Sequence, residues 1–362
     1  MRELEIDGRR IHDDVDCYVI AEIGHNHQGD VEKAKELIRA ARDCGVDAVK
    51  LQKRDNRTLF TREFYEAPYD NENSFGPTYG AHREALELDR DAWLELQAYA
   101  RELGVTLFAT AFDPPSADFL AELDVPAFKI ASADIVNTPL LRHVAQLGKP
   151  MLVPTGGASL EDVDRAVDTI LPLNSQLCLM QCTASYPADV TELNLGVITT
   201  FRERYPELVI GLSDHQDGIA MALVAHMLGA RVIEKHFTLS HTWKGTDHAF
   251  SLMPEGMRKL VRDLRRMQAA IGDGVKRRYE SEERPLEKMG KTLVAARDLP
   301  GGHELGPDDV AIKSPAGGGL PPYEYDNVVG RRLTRPLAAD QGITLLDLEV
   351  EAAEAPLAVE AP

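Results

Sequence analysis

Residues 208–251 read LVIGLSDHQDGIAMALVAHMLGARVIEKHFTLSHTWKGTDHAFS. An apolar run closes on Ser213, Asp214 and His215; a charge-free helical segment, GIAMALVAHMLGA, follows; a second apolar run closes on Glu234, Lys235 and His236. Strands that are apolar throughout, instead of alternating, are buried on both faces, and a strand–helix–strand order joins them in parallel. The polar residues that end each run therefore gather at one edge of the sheet. Five of the eleven histidines of the chain fall in this one stretch.

The same beat repeats outward. CYVIAEIG, DAVKLQK, VTLFATAF, AFKIAS, PMLVPTG and QLCLMQCT precede it, separated by helical-period segments such as DVEKAKELIRAARDCG and LEDVDRAVDTILP, and PEGMRKLVRDLRRMQAAIG closes the series. Eight strand–helix units in about 250 residues suit a closed barrel better than an open sheet. A doubly wound sheet is the alternative, but its first turn would carry a Gly-x-Gly-x-x-Gly loop, and here that turn is GHNHQGD. The expected fold is α/β, a (β/α)8 TIM barrel over residues 1–272. A charged, proline-bearing stretch at 273–290 reads as a linker, and residues 291–350, rich in Gly and Pro with short strand patterns, read as a small β-rich domain. EAAEAPLAVEAP at 351–362 reads as an acidic disordered tail.

Composition narrows the function. A chain of 362 residues, 44% hydrophobic and 27% charged, can bury a large core. Its formal charge of −19 repels nucleic acid and anionic membranes alike. The start, MRELEIDGRR, lacks a signal-peptide pattern and no apolar stretch is long enough to span a bilayer, so a cytoplasmic protein is expected. Cys17, Cys44, Cys178 and Cys182 lack paired spacing and read as buried thiols.

In a parallel barrel, chemistry gathers where strands end. Glu22 and the HNH at 25–27, Lys50 and Gln52, Thr110, Lys129 and Ser132, Thr155, Thr183 and Tyr186, Ser213 and His215, and Glu234 and His236 all fall there. Two lysines among hydroxyls in an acidic chain suggest a pocket for phosphate or carboxylate. Neighbouring strands lie about 4.8 Å apart, so His215 and His236 can reach a common point and, with no third obvious ligand, suit a catalytic first-row metal. The spacing equally suits one hydrogen-bonded core histidine beside one at the rim. His241 and His248 read as solvated loop residues, and residues 54–88 as either a lid or a surface loop.

AEIGHNHQGD, VKLQK, FKIAS, GLSDH, IEKHFTL and GTDHAFSL, in this order and spacing, resemble the sialic acid synthase (N-acetylneuraminate synthase) family, and GPDDVAIKSPAGGG is similar to that family's antifreeze-like (SAF) domain. The resemblance implies a barrel enzyme that condenses phosphoenolpyruvate with N-acetylmannosamine or a related acylamino-hexose. The product would be a nine-carbon 2-keto-3-deoxy acid plus phosphate. It implies a divalent metal, manganese before magnesium or cobalt, on His215 and His236. It places Lys50, Thr110, Lys129, Ser132 and Ser213 around phosphoenolpyruvate, Glu22, Gln52, Tyr186 and Asp247 in the acceptor and catalytic region, and Asp134 with the acceptor; on chemical grounds a carboxylate such as Glu22 or Glu234 is the expected base for the water that quenches the developing positive charge. A domain-swapped homodimer is implied as well. The chain departs from the pattern at Pro154, Asp134, Ala184 and above all Ser314, where an arginine would hold the acceptor's acyl group. A non-acylated or phosphorylated aldose acceptor, or a barrel that binds sugar or metal without catalysis, are the alternatives.

Overall fold

The computed structural model describes residues 2–350; the expected acidic tail, 351–362, lies outside the described residues. The chain divides into two compact units that part after Gly272. The first is a closed parallel barrel of eight strands: β3 (Tyr18–Gly24), β4 (Ala48–Lys53), β5 (Thr106–Ala111), β6 (Phe128–Ile130), β7 (Met151–Pro154), β8 (Leu177–Cys182), β9 (Val209–Asp214) and β10 (Val232–His236), with β10 pairing back onto β3. They are preceded by β1 (Leu4–Ile6) and β2 (Arg9–Ile11). The expected barrel is present, and a helix follows every barrel strand.

Local chemistry starts those helices where the sequence indicates. Asp30, Asp89, Asp113, Asn137 and Ser159 each accept a hydrogen bond from a backbone N–H of the first turn of the helix that follows, which satisfies donors that the helix itself leaves open. The helix Val31–Asp43 then turns Ala34, Leu37, Ile38 and Ala41 inward onto the sheet, the one-face pattern of a helix covering a strand layer.

The hairpin β1–β2 escaped the sequence reading. Its turn is Asp7-Gly8, with φ of 52° and 77°, the pair of positive angles that a two-residue hairpin turn needs. Leu4, Ile6 and Ile11 enter the main core, and Asp7 accepts from the Thr106 hydroxyl at the start of β5 (3.0 Å). The hairpin thus covers the end of the barrel opposite the strand termini that carry the polar residues.

Between β4 and the helix Arg90–Leu103 the chain makes an ordered excursion. It contains short helices at Asn56–Leu59, Arg62–Glu66 and Tyr79–Glu84, welded by aromatic contacts such as Phe64 on Tyr79 (4.5 Å) and Tyr69 on His82 (4.6 Å). Gly29 fixes the excursion to the first strand-end loop. Its φ is +76°, and a Cβ there would lie 2.2 Å from the carbonyl oxygen of Ala85. Gly29→Ala is expected to cost about 1–3 kcal/mol, read as a lowered midpoint in thermal unfolding. An unchanged midpoint would show that the loop and the excursion are not in this contact.

The second unit holds β11 (Thr292–Ala295) and β12 (Val310–Lys313), an antiparallel pair, with further bridges such as Leu299↔Leu337 and Leu333↔Leu348. Its own core includes Leu293, Leu305, Val310, Leu333 and Ile343. Within 273–290 a short helix forms at Glu283–Met289, which the aperiodic charge pattern of that stretch did not indicate. All four cysteines are free and buried.

Candidate active site

Strand register sets the site. Glu22 on β3 lies opposite Lys50 on β4 and His236 on β10, Thr110 on β5 lies opposite Lys129 on β6, and Ser213 on β9 lies opposite Glu234. Side chains at paired positions point the same way in a sheet, so strands distant in sequence deliver their polar groups into one lumen. A cavity of about 500 Å³ opens there, at the C-terminal ends of the strands.

At its floor is a four-charge network. Lys50 Nζ lies 2.8 Å from Glu22 and 3.7 Å from Glu234, and donates to Thr110 Oγ1 at 2.7 Å. Lys129 Nζ lies 3.2 Å from Glu234, which also accepts from the Ser213 hydroxyl at 3.2 Å. All four charged groups are at most 4% exposed. Burial on its own would raise the pKa of Glu234, but Lys129 and Lys50 outweigh it and hold the carboxyl well below its usual range. Glu22 moves the other way: burial, with the Glu234 charge adding to it, pushes its pKa up against the pull of Lys50. Burial lowers that of Lys129. Environment has split two carboxylates into a fixed anion and a group nearer to protonation, the separation that acid–base chemistry uses.

Above the network stand His215 and His236, ring centroids 5.3 Å apart. His215 Nδ1 donates to the carbonyl of Thr183 (2.9 Å), which fixes the tautomer and leaves Nε2 as a ligand. His236 Nδ1 is buried without a hydrogen-bond partner, and Asp247 Oδ2 lies 3.7 Å from it. Burial lowers both imidazoles to about 4, so both are neutral at pH 7, the form that binds metal. Among the described residues no three His, Cys, Asp or Glu side chains converge as a closed metal site. The pair nonetheless fits a cation that takes the rest of its shell from water and substrate. Tyr186 stacks on His215 at 4.2 Å.

The cavity wall contains Glu22, Lys50, Gln52, Thr110, Lys129, Ser132, Tyr186, Ser213, His215, Glu234, His236 and Asp247, every predicted site residue but one. Asp134 is the exception. It ends a single 3-10 turn, Ser132–Asp134, and its carboxylate accepts from Asn137 (3.2 Å) outside the cavity. His248 also corrects the sequence reading: it is 1% exposed and its Nδ1 is 2.7 Å from Thr238 Oγ1, because the loop folds back through the Phe237↔Leu252 bridge. The sequence reading missed Arg54, His82, Arg83 and Phe75, which the excursion brings to the wall. Only the density of basic and aromatic residues in that segment hinted at them.

A family model, the NeuB family, matches residues 37–276, and a SAF domain model matches 290–349. The chain belongs to the NeuB family. It is 40% identical over 342 residues to the human N-acetylneuraminate-9-phosphate synthase, covering 94% of this chain and 95% of that one. It is 37% identical over 342 residues to the N,N'-diacetyllegionaminic acid synthase of Legionella pneumophila, covering 93% and 95%. The crystal structure of the N-acetylneuraminic acid synthetase of Leptospira borgpetersenii, in complex with citrate, aligns with a TM-score of 0.69 at 31% identity, over 79% of this chain and 95% of that one. As a NeuB-family protein the chain is a condensing synthase, as expected, and it carries a SAF domain at its C-terminal end. No helix among the described residues is long and apolar enough to cross a membrane.

Proposed function

We propose that this NeuB-family enzyme condenses phosphoenolpyruvate with N-acetylmannosamine or a related acylamino-hexose to give a nine-carbon 2-keto-3-deoxy acid and phosphate. The observation that carries this reading is the pairing, in one lumen, of a buried cation pair, Lys50 and Lys129, with the neutral imidazoles of His215 and His236. The first suits a small multiply charged anion, the second an aldehyde-activating cation. Human and Legionella relatives named as synthases of such acids support it. Their names differ in whether the product carries phosphate.

In this reading Lys50 and Lys129, with Thr110, Ser132 and Ser213, hold the phosphate and carboxylate of phosphoenolpyruvate. His215 and His236 would hold a divalent metal, manganese by the resemblance, which would supply Lewis-acid polarisation of the acceptor aldehyde. Gln52, Tyr186 and Asp247 orient the open-chain sugar. Carbon 3 of phosphoenolpyruvate forms the new bond to the aldehyde carbon. Glu22, the carboxylate nearer to protonation, takes the proton of the water that adds at carbon 2; carbon–oxygen cleavage then releases phosphate. Glu234 stays ionised and fixes the two lysines. The proposal includes a cytoplasmic homodimer in which the SAF domain of one chain covers the barrel of the other, with Ser314 in place of an acyl-binding arginine.

The test is phosphate release from phosphoenolpyruvate with manganese, in the presence of acylated and plain hexoses. Release that requires one of the sugars is the expected result. Binding of sugar and metal with no release from any sugar would favour a non-catalytic barrel instead.

A further inference from the structure

Two charged residues behind the imidazole pair take no part in the proposed chemistry. Lys235 stands between Glu234 and His236 on β10, and Asp214, the last residue of β9, stands between Ser213 and His215 in the chain. All four of those neighbours line the cavity, and neither Lys235 nor Asp214 does. Side chains alternate along a strand, so these two point out of the lumen, beneath the helix layer. There Lys235 Nζ lies 2.9 Å from Asp214 Oδ2 and also donates to the carbonyl of Gln216. Asp214 Oδ1 accepts from the Gln216 N–H at 2.9 Å. Both side chains of the ion pair are 1% exposed.

Strand pairing shows what this contact adds. The ladder between β9 and β10 ends at Asp214↔Lys235, and that between β8 and β9 ends one residue earlier on β9, at Cys182↔Ser213. His236 is still inside a ladder, opposite Glu22 on β3. His215 lies beyond the end of β9, in a turn. Its own hydrogen bonds run to the segment after β8, from Nδ1 to the Thr183 carbonyl and from the Ala188 N–H to its carbonyl (3.1 Å). Lys235 grips that turn on both sides of His215, at the Asp214 carboxylate and the Gln216 carbonyl, from the residue next to His236. One buried ammonium thus joins the two histidine-bearing segments past the point where backbone pairing stops. A buried ion pair adds little stability over an apolar pair of similar volume, because desolvation offsets the attraction, and its best-attested use is to fix register. Here the register is that of two imidazoles with ring centroids 5.3 Å apart.

We propose that Lys235 and Asp214 are positioning residues for the cation site, a strut that holds His215 and His236 at the separation from which both can bind one divalent ion. The inference rests on the two-histidine cation site of the proposed function. Neither residue touches substrate or cation; both act through the backbone of the turn. Ligands held in place before the ion arrives bind it more tightly, since less ordering remains to be done on binding.

Manganese chloride alone is titrated into the full-length, chelator-stripped protein, and the free ion is followed by electron paramagnetic resonance. The variant is Lys235→Met combined with Asp214→Asn, which removes both charges together and strands neither. Its dissociation constant for manganese should rise about 10–100-fold, while its thermal midpoint without metal stays close to that of the wild type. Asp214→Asn alone keeps the shape and an acceptor for the Gln216 N–H. It should fall between the two, and it is read in place of the double variant if that one does not fold. Wild-type affinity in the folded variant overturns the proposal. So does a midpoint that drops together with the affinity, which would make the pair a general prop of the barrel. A wild type that binds no manganese, or binds it as tightly after His236→Ala, removes the cation site itself and the strut with it. The two failures are distinct, because the first leaves wild-type binding dependent on His236.

Discussion

Alanine at His215 or His236 is expected to lower phosphate release by about a thousand-fold or more, with the fold intact, because each substitution removes half of the proposed two-ligand cation site. The double variant should lose little beyond either single one, since residues acting as a unit are not additive. Metal content by mass spectrometry should fall with activity, and a chelator should reproduce the loss in the wild-type enzyme. Thermal unfolding separates this outcome from misfolding. His215 has a structural tie as well, its Nδ1 to Thr183, so His236→Ala is the cleaner variant. Full activity in a metal-free His236→Ala enzyme would remove the imidazole pair from the chemistry.

Lys50→Met should be the most destabilising change in the site. Lys50 neutralises Glu22 at 2.8 Å and shares Glu234 at 3.7 Å with Lys129, all in a lumen nearly closed to solvent. Removing one partner of a buried ion pair costs about 3–5 kcal/mol, or roughly 6–20 °C in the midpoint of a domain of this size. Adding Glu22→Gln to Lys50→Met removes the stranded charge and should recover part of the midpoint while activity stays lost. Phosphoenolpyruvate should protect the wild type against heat and the single variant far less. If Lys50→Met melts like the wild type, the four charges do not form a closed network.

Much of this was readable from residue order. Continuous apolar strands such as LVIGLSD and RVIEKHF can lie only in a sheet covered on the outside, and a parallel sheet puts their last residues on one rim. That reasoning alone collected Lys50, Lys129, His215, Glu234 and His236, and the motif resemblance added Asp247. It failed where period gives no guidance. Asp134, which the resemblance and not the strand pattern put with the acceptor, sits two residues beyond Ser132, and a 3-10 turn carries it off the wall. His248 looked like a loop histidine and is buried on Thr238. The hairpin turn Asp7-Gly8 was written in the chain and went unread, since two three-residue strands are too short to show a period.

The sequence by itself determined the barrel, the SAF domain, the family and the polar strand ends, because period and motif act over neighbours along the chain. Tertiary structure alone decided which of two buried carboxylates is held ionised, since that depends on Lys129 and Lys50 reaching Glu234 across the lumen from β6 and β4. It alone also decided that Arg54 and Arg83, 29 residues apart in sequence, meet at His25. Electrostatic free energy follows distance and burial in space, and neither can be read from an aperiodic excursion before the chain has closed on itself.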